Sequence, residues 1–269
     1  MSVAVAERSP INVALAQYAG LSRRAIANTF RQPRYFIPSL LFPLMFMALS
    51  SSAFERTTSL PGFPATDSFL QFLVSTTIIQ GSLFSSIAAG SAMAIDIESG
   101  FFERLIASPV ARTSIVAGRV MGSLVFGFLQ AWLYFGVASI FGMRAEGGFV
   151  GMLGVALVAA MFSAGVGSIA ASFAIRTGSS EAVQGAFPLL FSLMFLSSGF
   201  FPRTLMHGWF QDAATLNPLS HMIEGLRHQI ITGFDVGELA VSFAIAFGFF
   251  AFGVGMALLA LRRRLTSSS

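Results

Sequence analysis

Six stretches of this chain contain no Asp, Glu, His, Lys or Arg, and each is long enough to cross a lipid bilayer. They are residues 35–54, 68–95, 120–143, 147–175, 182–202 and 239–261. A helix needs about 20 predominantly apolar residues to span the hydrocarbon core. The second and fourth stretches exceed that minimum, so their spans are expected to be shorter or tilted. Between them the stretches leave too few polar residues to coat a water-soluble surface. Only 10% of the 269 residues are charged and 55% are hydrophobic, with a mean hydropathy of +0.76. A soluble domain carries roughly 25% charged residues. The pattern predicts an all-α integral membrane protein with six transmembrane helices.

Arginine placement predicts the orientation. All 16 basic residues are arginines, because lysine is absent. With the N-terminus in the cytoplasm, the inner segments hold Arg8, Arg23, Arg24, Arg31, Arg34, Arg104, Arg112, Arg119, Arg176, Arg262, Arg263 and Arg264. The outer segments hold only Arg56, Arg144, Arg203 and Arg227. This positive-inside bias predicts that both termini and the polar loop at 96–119 are cytoplasmic. Residues 1–34 form a cytoplasmic tail and helix, and residues 35–269 form the transmembrane domain. Five arginines among the first 34 residues, with no long apolar core, do not read as a signal peptide.

Two absences narrow the chemistry. Cysteine is missing, so disulfides, thiolate catalysis and cysteine metal sites are not expected. Without lysine there is no G-x-x-x-x-G-K-[ST] phosphate loop and no Schiff-base lysine, so any nucleotide energy is expected to come from elsewhere.

Residues 11–30 read as an amphipathic helix. Ile11, Leu15, Tyr18, Ile26 and Phe30 share one side, and Gln17, Arg23, Arg24, Asn28 and Arg31 the other. Such a helix lies in the inner interface with its arginines toward lipid phosphates, either as an anchor or as an elbow touching a partner. Pro33 is expected to end it. Pro38 and Pro43 would shape the first span, and the pairs Gly118/Gly122 and Gly147/Gly151 permit close helix approach.

None of the six stretches has a charged or imidazole side chain in its middle, which weighs against ion-coupled transport. The milder polar groups are Thr76, Thr77, Gln80 and Gln130, which either bond between helices or line a pathway. Phe187, Phe191 and Phe195 recur every four residues with Met194 beside them. That stripe serves lipid contact and packing, or an amphiphilic ligand. The segment 203–238 is too apolar to sit free in water and is expected to form short re-entrant helices at the outer leaflet. Within it, His221, Glu224 and His228 fall on one helical face, the starting point for a metal-dependent hydrolase. The spacing is not H-E-x-x-H, and an interfacial helix explains the same stripe, so no metal or catalytic site is assigned. In the cytoplasmic loop, Phe101, Phe102 and Leu105 make an apolar edge beside Glu98, Glu103 and Arg104, as expected of a short helix that docks into a soluble partner.

The stretch Glu98-Ser-Gly-Phe-Phe-Glu103-Arg-Leu-Ile-Ala-Ser-Pro109-Val-Ala-Arg112 resembles the E-x-G-x-x-E-x-L-x-x-[ST]-P-x-x-R segment of type-2 ATP-binding cassette exporter permeases, the daunorubicin-resistance group in particular. The later Ser197-Ser-Gly-Phe-Phe-Pro202, Trp209, Leu216-Asn-Pro-Leu-Ser220 and Glu224-Gly-Leu-Arg227 are similar to that group's second region. The resemblance covers nearly the whole chain. It implies a bacterial cytoplasmic-membrane exporter of hydrophobic or amphiphilic compounds, working as a dimer with a second permease copy or homologue. ATP and Mg would be bound by a separate ATPase subunit, with no cofactor on this chain and no nucleic-acid partner. The loop would be the coupling helix, with Glu98, Phe101, Phe102, Glu103, Arg104 and Arg112 as contacts to the ATPase. Residues 11–30 would be its connecting helix, and Thr76, Gln80, Phe187, Phe191, Met194 and Phe195 would line the pathway. Export of a lipid-linked saccharide or envelope polymer, and a non-transporting scaffold for an ATPase, are the alternatives.

Overall fold

The computed structural model describes residues 10–31, 33–108 and 112–267, which form ten α-helices, two short 3-10 turns and no strand. In order they are α1 (Pro10–Arg31), α2 (Pro33–Phe54), α3 (Phe69–Glu98), α4 (Phe101–Ala107), α5 (Arg112–Ile140), α6 (Gly148–Thr177), α7 (Ser180–Phe195), α8 (Trp209–Leu216), α9 (Pro218–Ile231) and α10 (Val236–Ser267). Five segments are long and apolar enough to cross a membrane: Ile37–Ser59, Phe69–Glu98, Thr113–Ile140, Gly148–Thr177 and Val236–Thr266.

The fifth expected stretch, 182–202, behaves differently. Its helix α7 has 16 residues and stops at Phe195, and the chain then runs irregularly through Ser197, Ser198 and Gly199. The polar island at 96–119 is also mostly helical. α3 continues to Glu98 and α5 begins at Arg112, so Arg119 stands inside a helix. Helices extend through charged residues wherever those charges find partners, and charge-free windows cannot show this.

α3 and α6 form the centre of the bundle. Phe72, Val74, Ile78 and Ile79 of α3 and Val155, Val158, Phe162 and Val166 of α6 have no solvent exposure. α6 is apolar around its whole circumference and rich in small residues, which suits a helix packed on several sides. Its closest neighbour is α10. A Cβ on Gly165 would lie 2.7 Å from the backbone of Phe249 and Phe250, so the two helix backbones touch there. The sequence pair Gly118/Gly122 does the same for α1 on α5. A Cβ on Gly118 would meet Leu21 at 3.0 Å and one on Gly122 would meet Ala25 at 3.3 Å.

α2 remains helical through Pro38 and Pro43. Pro43 has no N–H to give the Ser39 carbonyl four residues back. The Tyr134 hydroxyl of α5 donates to that carbonyl at 3.3 Å and to the Leu40 carbonyl at 3.2 Å. One helix thereby supplies the hydrogen bond that proline removed from another.

α9 is not a surface helix. Leu219, Met222, Ile223, Leu226 and Ile230 are fully buried against the bundle. Its C-terminus receives the α5–α6 connection, where the Glu146 and Gly147 amides donate to the Ile230 and Gln229 carbonyls at 2.9 and 3.0 Å.

Candidate functional site

The motif between α3 and α5 sits at one end of the bundle, with α1 and the last turns of α10 around it. Gly100 adopts the left-handed conformation (φ 68°), which lets the chain turn from α3 directly into α4. Phe102 is 1% exposed and packs with Ile97, Ile115, Ala174, Ile175 and Leu261. It is therefore a core anchor, and its ring is not presented outward as the expected docking edge required. The exposed residues of the motif are Glu98, Ser99, Glu103, Arg104 and Ala107, three of them charged. Pro109 and the side chain of Arg112 lie outside the described residues.

Two arginines from distant parts of the chain grip α4. Arg24 of α1 lies over the Phe101 ring, 3.6 Å from its centroid, and pairs with Asp96 at 3.2 Å. Arg119 of α5 pairs with the other oxygen of Asp96. On the opposite side Arg264 of α10 lies 5.4 Å from the Phe102 ring and bonds Glu103 and the Ile175 carbonyl, each at 2.9 Å. The sequence had assigned Arg24 to lipid phosphates; here it is turned into the protein. The Glu103 side chain is 55% exposed in its pair. Half-exposed ion pairs contribute at most about 1 kcal/mol, so the Arg264–Glu103 contact is weak enough to be exchanged for another partner.

Glu98 links this end to α7. Its Oε1 accepts the N–H of Ser180, the first residue of α7, at 3.3 Å. A carboxylate suits the unsatisfied amides and partial positive charge of a helix N-terminus. Glu181 beside it is exposed, and the Ser179 hydroxyl donating to it holds its carboxyl below the usual range.

α7 presents the aromatic stripe. Phe187 and Phe191 stack at 5.2 Å, and both meet Phe84 of α3, at 4.9 and 5.3 Å. The chain of rings continues from Phe191 to Phe195 (5.1 Å), Phe200 (5.3 Å) and Phe46 of α2 (5.1 Å). Phe195 is 49% exposed, whereas Met194 is fully buried. Above the stripe a cavity of about 450 Å³ is walled by Phe46, Phe54, Phe69, Phe195, Phe200 and Phe201. Phe200 and Phe201 stand in the quoted motif at 197–202, which gave them no pathway role, and the rings from α2 were not singled out in the sequence.

The two polar candidates on α3 differ. Thr76 is 1% exposed and donates to the Gly199 carbonyl at 2.7 Å, so it supports the irregular segment. Gln80 lies one turn further along the same face and is also 1% exposed. Neither its amide nitrogen nor its oxygen has a hydrogen-bond partner among the described residues. Thr77 bonds back to the Leu73 carbonyl, and Gln130 donates to the Ile78 carbonyl at 3.0 Å.

At the other end of the bundle, His221, Glu224 and His228 do not converge. Glu224 pairs with Arg203 through two bonds, and the His221 Nε2 is 2.8 Å from the Thr215 carbonyl oxygen. Among the described residues no group of three or more His, Asp or Glu could hold a metal. The residue sequence reasoning missed is Arg227. It is 5% exposed, lies 3.6 Å from the Phe72 ring centroid, and donates to the Phe72, Ser198 and Gly199 carbonyls. It thereby satisfies carbonyls of the irregular segment that follows α7.

Comparison with known proteins gives the family. The ABC-2 type transporter family matches residues 16–231. The daunorubicin resistance ABC transporter permease protein DrrB1 of Streptomyces coeruleorubidus is 29% identical over 202 residues, covering 74% of this chain and 69% of that protein. The putative transport permease ycf38 of Pyropia yezoensis is 30% identical over 213 residues, covering 77% and 72%. That of Porphyra purpurea is 28% identical over 212 residues, covering 77% and 72%. A family match over most of the chain means that this protein belongs to the ABC-2 type transporter family, whose permeases work with an ATP-binding cassette subunit.

Proposed function

We propose that the chain is the membrane-spanning subunit of an ATP-driven exporter of hydrophobic or amphiphilic compounds, in the cytoplasmic membrane of a bacterium. α4 is its coupling helix and α1 its connecting helix, and ATP and Mg are bound by a separate ATPase subunit. Two permease subunits form the working unit. This chain makes and breaks no covalent bond; its contribution is conformational.

The observation that carries this reading is the mounting of α4. Its apolar side is anchored in the core through Phe102, while Glu98, Glu103 and Arg104 face outward for a soluble partner. Motion of α4 reaches α7 through Glu98 and Ser180, and α7 carries the phenylalanines that would border the pathway. Closure of the ATPase on ATP would then shift α4 and α7 together.

The sixth crossing is also part of the proposal. Sixteen residues of α7 rise about 24 Å, and the irregular segment beyond it would complete the passage. Non-helical backbone at membrane depth is tolerated where protein satisfies its polar groups. Arg227 and Thr76 do so here. Six crossings put both termini in the cytoplasm, as the arginine bias requires.

The test uses the chain co-expressed and purified with its ATP-binding cassette subunit, reconstituted in liposomes with an amphiphilic dye. ATP should drive dye movement, and Glu103→Ala should weaken assembly or separate ATP hydrolysis from movement. Unchanged assembly and unchanged dye movement in Glu103→Ala would remove α4 from the coupling role.

A further inference from the structure

At the α9 end, a cavity of about 520 Å³ opens between the turn at 62–65, residues 202–204 and α9. Phe63, Arg203, Glu224, Arg227, His228 and Ile231 are among its walls. Its electrostatics are unbalanced. Arg203 is matched by Glu224. Arg227 is 95% buried, given its 5% exposure, yet all four of its hydrogen bonds go to neutral acceptors. Among the described residues it belongs to no ion pair, and its Nη1 makes no hydrogen bond. Beside it, the Nδ1 of His228 is buried without a partner. Asp235, which accepts the amide of Glu238, also acts on His228 electrostatically, but it is not part of the cavity's lining.

A guanidinium keeps its proton in proteins, and the buried Arg227 has only the charge of Glu224 to face it, a carboxylate it shares with Arg203, so its charge is incompletely compensated. The lining thus includes two guanidiniums and one imidazole against one carboxylate. The apolar cavity of about 450 Å³ is lined in part by the residues that immediately precede those of the polar one in the chain. Phe200 and Phe201 line that one, and Pro202, Arg203 and Thr204 line the polar one. Phe63 of the polar cavity packs on Phe69 of the apolar cavity at 5.9 Å.

We infer that the polar cavity binds an oxyanion of the phosphate or carboxylate class at Arg227 and His228, and that the phenylalanine cavity beside it receives the apolar body of the same molecule. The ligand class is an anionic amphiphile. The inference concerns binding by this chain alone and stands whether or not the exporter reading does.

The chain, purified in dodecyl maltoside, is titrated with dodecyl phosphate and with sodium phosphate, against chloride at matched ionic strength, while its thermal midpoint is followed. A ligand that binds the folded state raises that midpoint saturably. Dodecyl phosphate is expected to do so. Saturation by dodecyl phosphate alone identifies a headgroup site for an amphiphile, and saturation by sodium phosphate as well identifies a site open to the free anion. Glu224→Gln releases Arg203 to the cavity and should lower the half-saturating concentration about tenfold, the worth of one added charged hydrogen bond. His228→Ala should raise it by a similar factor. Arg227→Gln should abolish saturation; because Arg227 also ties α9 to α3, the other two variants carry the test if it fails to fold. No rise above chloride with either probe, or a half-saturating concentration unmoved by Glu224→Gln, would overturn the inference.

Discussion

Gly253 and Gly255 lie two residues apart in α10, and alanine at each should have opposite consequences. A Cβ on Gly255 has nothing within 4 Å, whereas one on Gly253 would overlap the Gly165 carbonyl oxygen and lie 3.1 Å from the carbonyl carbon. Alanine favours the helix by about 1 kcal/mol over glycine at either position. At Gly253 the gain is outweighed, because the obstacle is backbone and cannot rotate aside. Restoring ordinary contact needs α6 and α10 to separate by about 1 Å, and forced separations of that kind cost about 1–3 kcal/mol. For a chain of this size 1 kcal/mol moves the thermal midpoint by about 2–4 °C. Gly253→Ala should therefore unfold several degrees below Gly255→Ala. Scanning fluorimetry of the detergent-solubilised protein, using its two tryptophans, reads the difference. Midpoints that coincide, or a reversed order, would refute the claim that these two backbones touch.

Two further outcomes are expected. Because the chain has no cysteine, Ala25→Cys with Gly122→Cys reports α1 on α5 without background. The Cβ separation of 3.3 Å is close to the span of a disulfide, so oxidation in membranes should join the pair and reductant should release it. Ala25→Cys with Gly136→Cys, where nothing lies within 4 Å, should not join; equal yields would unseat α1 from α5. At the start of α10 the Asp235 Oδ1 accepts the Glu238 amide at 3.0 Å, which holds the carboxyl below its usual 3.8. A depressed carboxyl stabilises the native state fully above its ordinary value and loses that contribution as pH falls through the native one. The midpoint gap between wild type and Asp235→Ala should be flat from about pH 7 to 5 and close only below pH 3.8. A gap that persists in strong acid would show that the carboxylate is not the source.

What the sequence disclosed follows the physics of the bilayer. A charge-free run of adequate length marks an apolar helix, and α2 ends at Phe54 and α6 begins at Gly148 as those runs required. Pro33 separates α1 from α2 as expected, and the small residues at Gly118 and Gly122 do seat a neighbouring helix. The misreadings all involve partners distant in sequence. The irregular segment after α7 is held by Arg227, and no local periodicity announces that a residue of α9 will serve the carbonyls of Ser198 and Gly199. Phe102 has the amphipathic position of a docking residue, but its neighbours Ile175 and Leu261 arrive from other helices and bury it. Arg24 lies on the polar side of α1 and is drawn inward by an aspartate at the end of α3.

The grip on α4 has a consequence for biosynthesis. Arg24 is made early, but Arg264 belongs to the final turns of the last described helix. A nascent chain can thread its earlier helices into the membrane in turn, yet α4 is held from one side only until α10 has left the ribosome. The contact surface proposed for a soluble subunit is therefore held on both sides only once α10 has been made, so the arrangement favours recruitment of chains that already carry α10 over shorter ones.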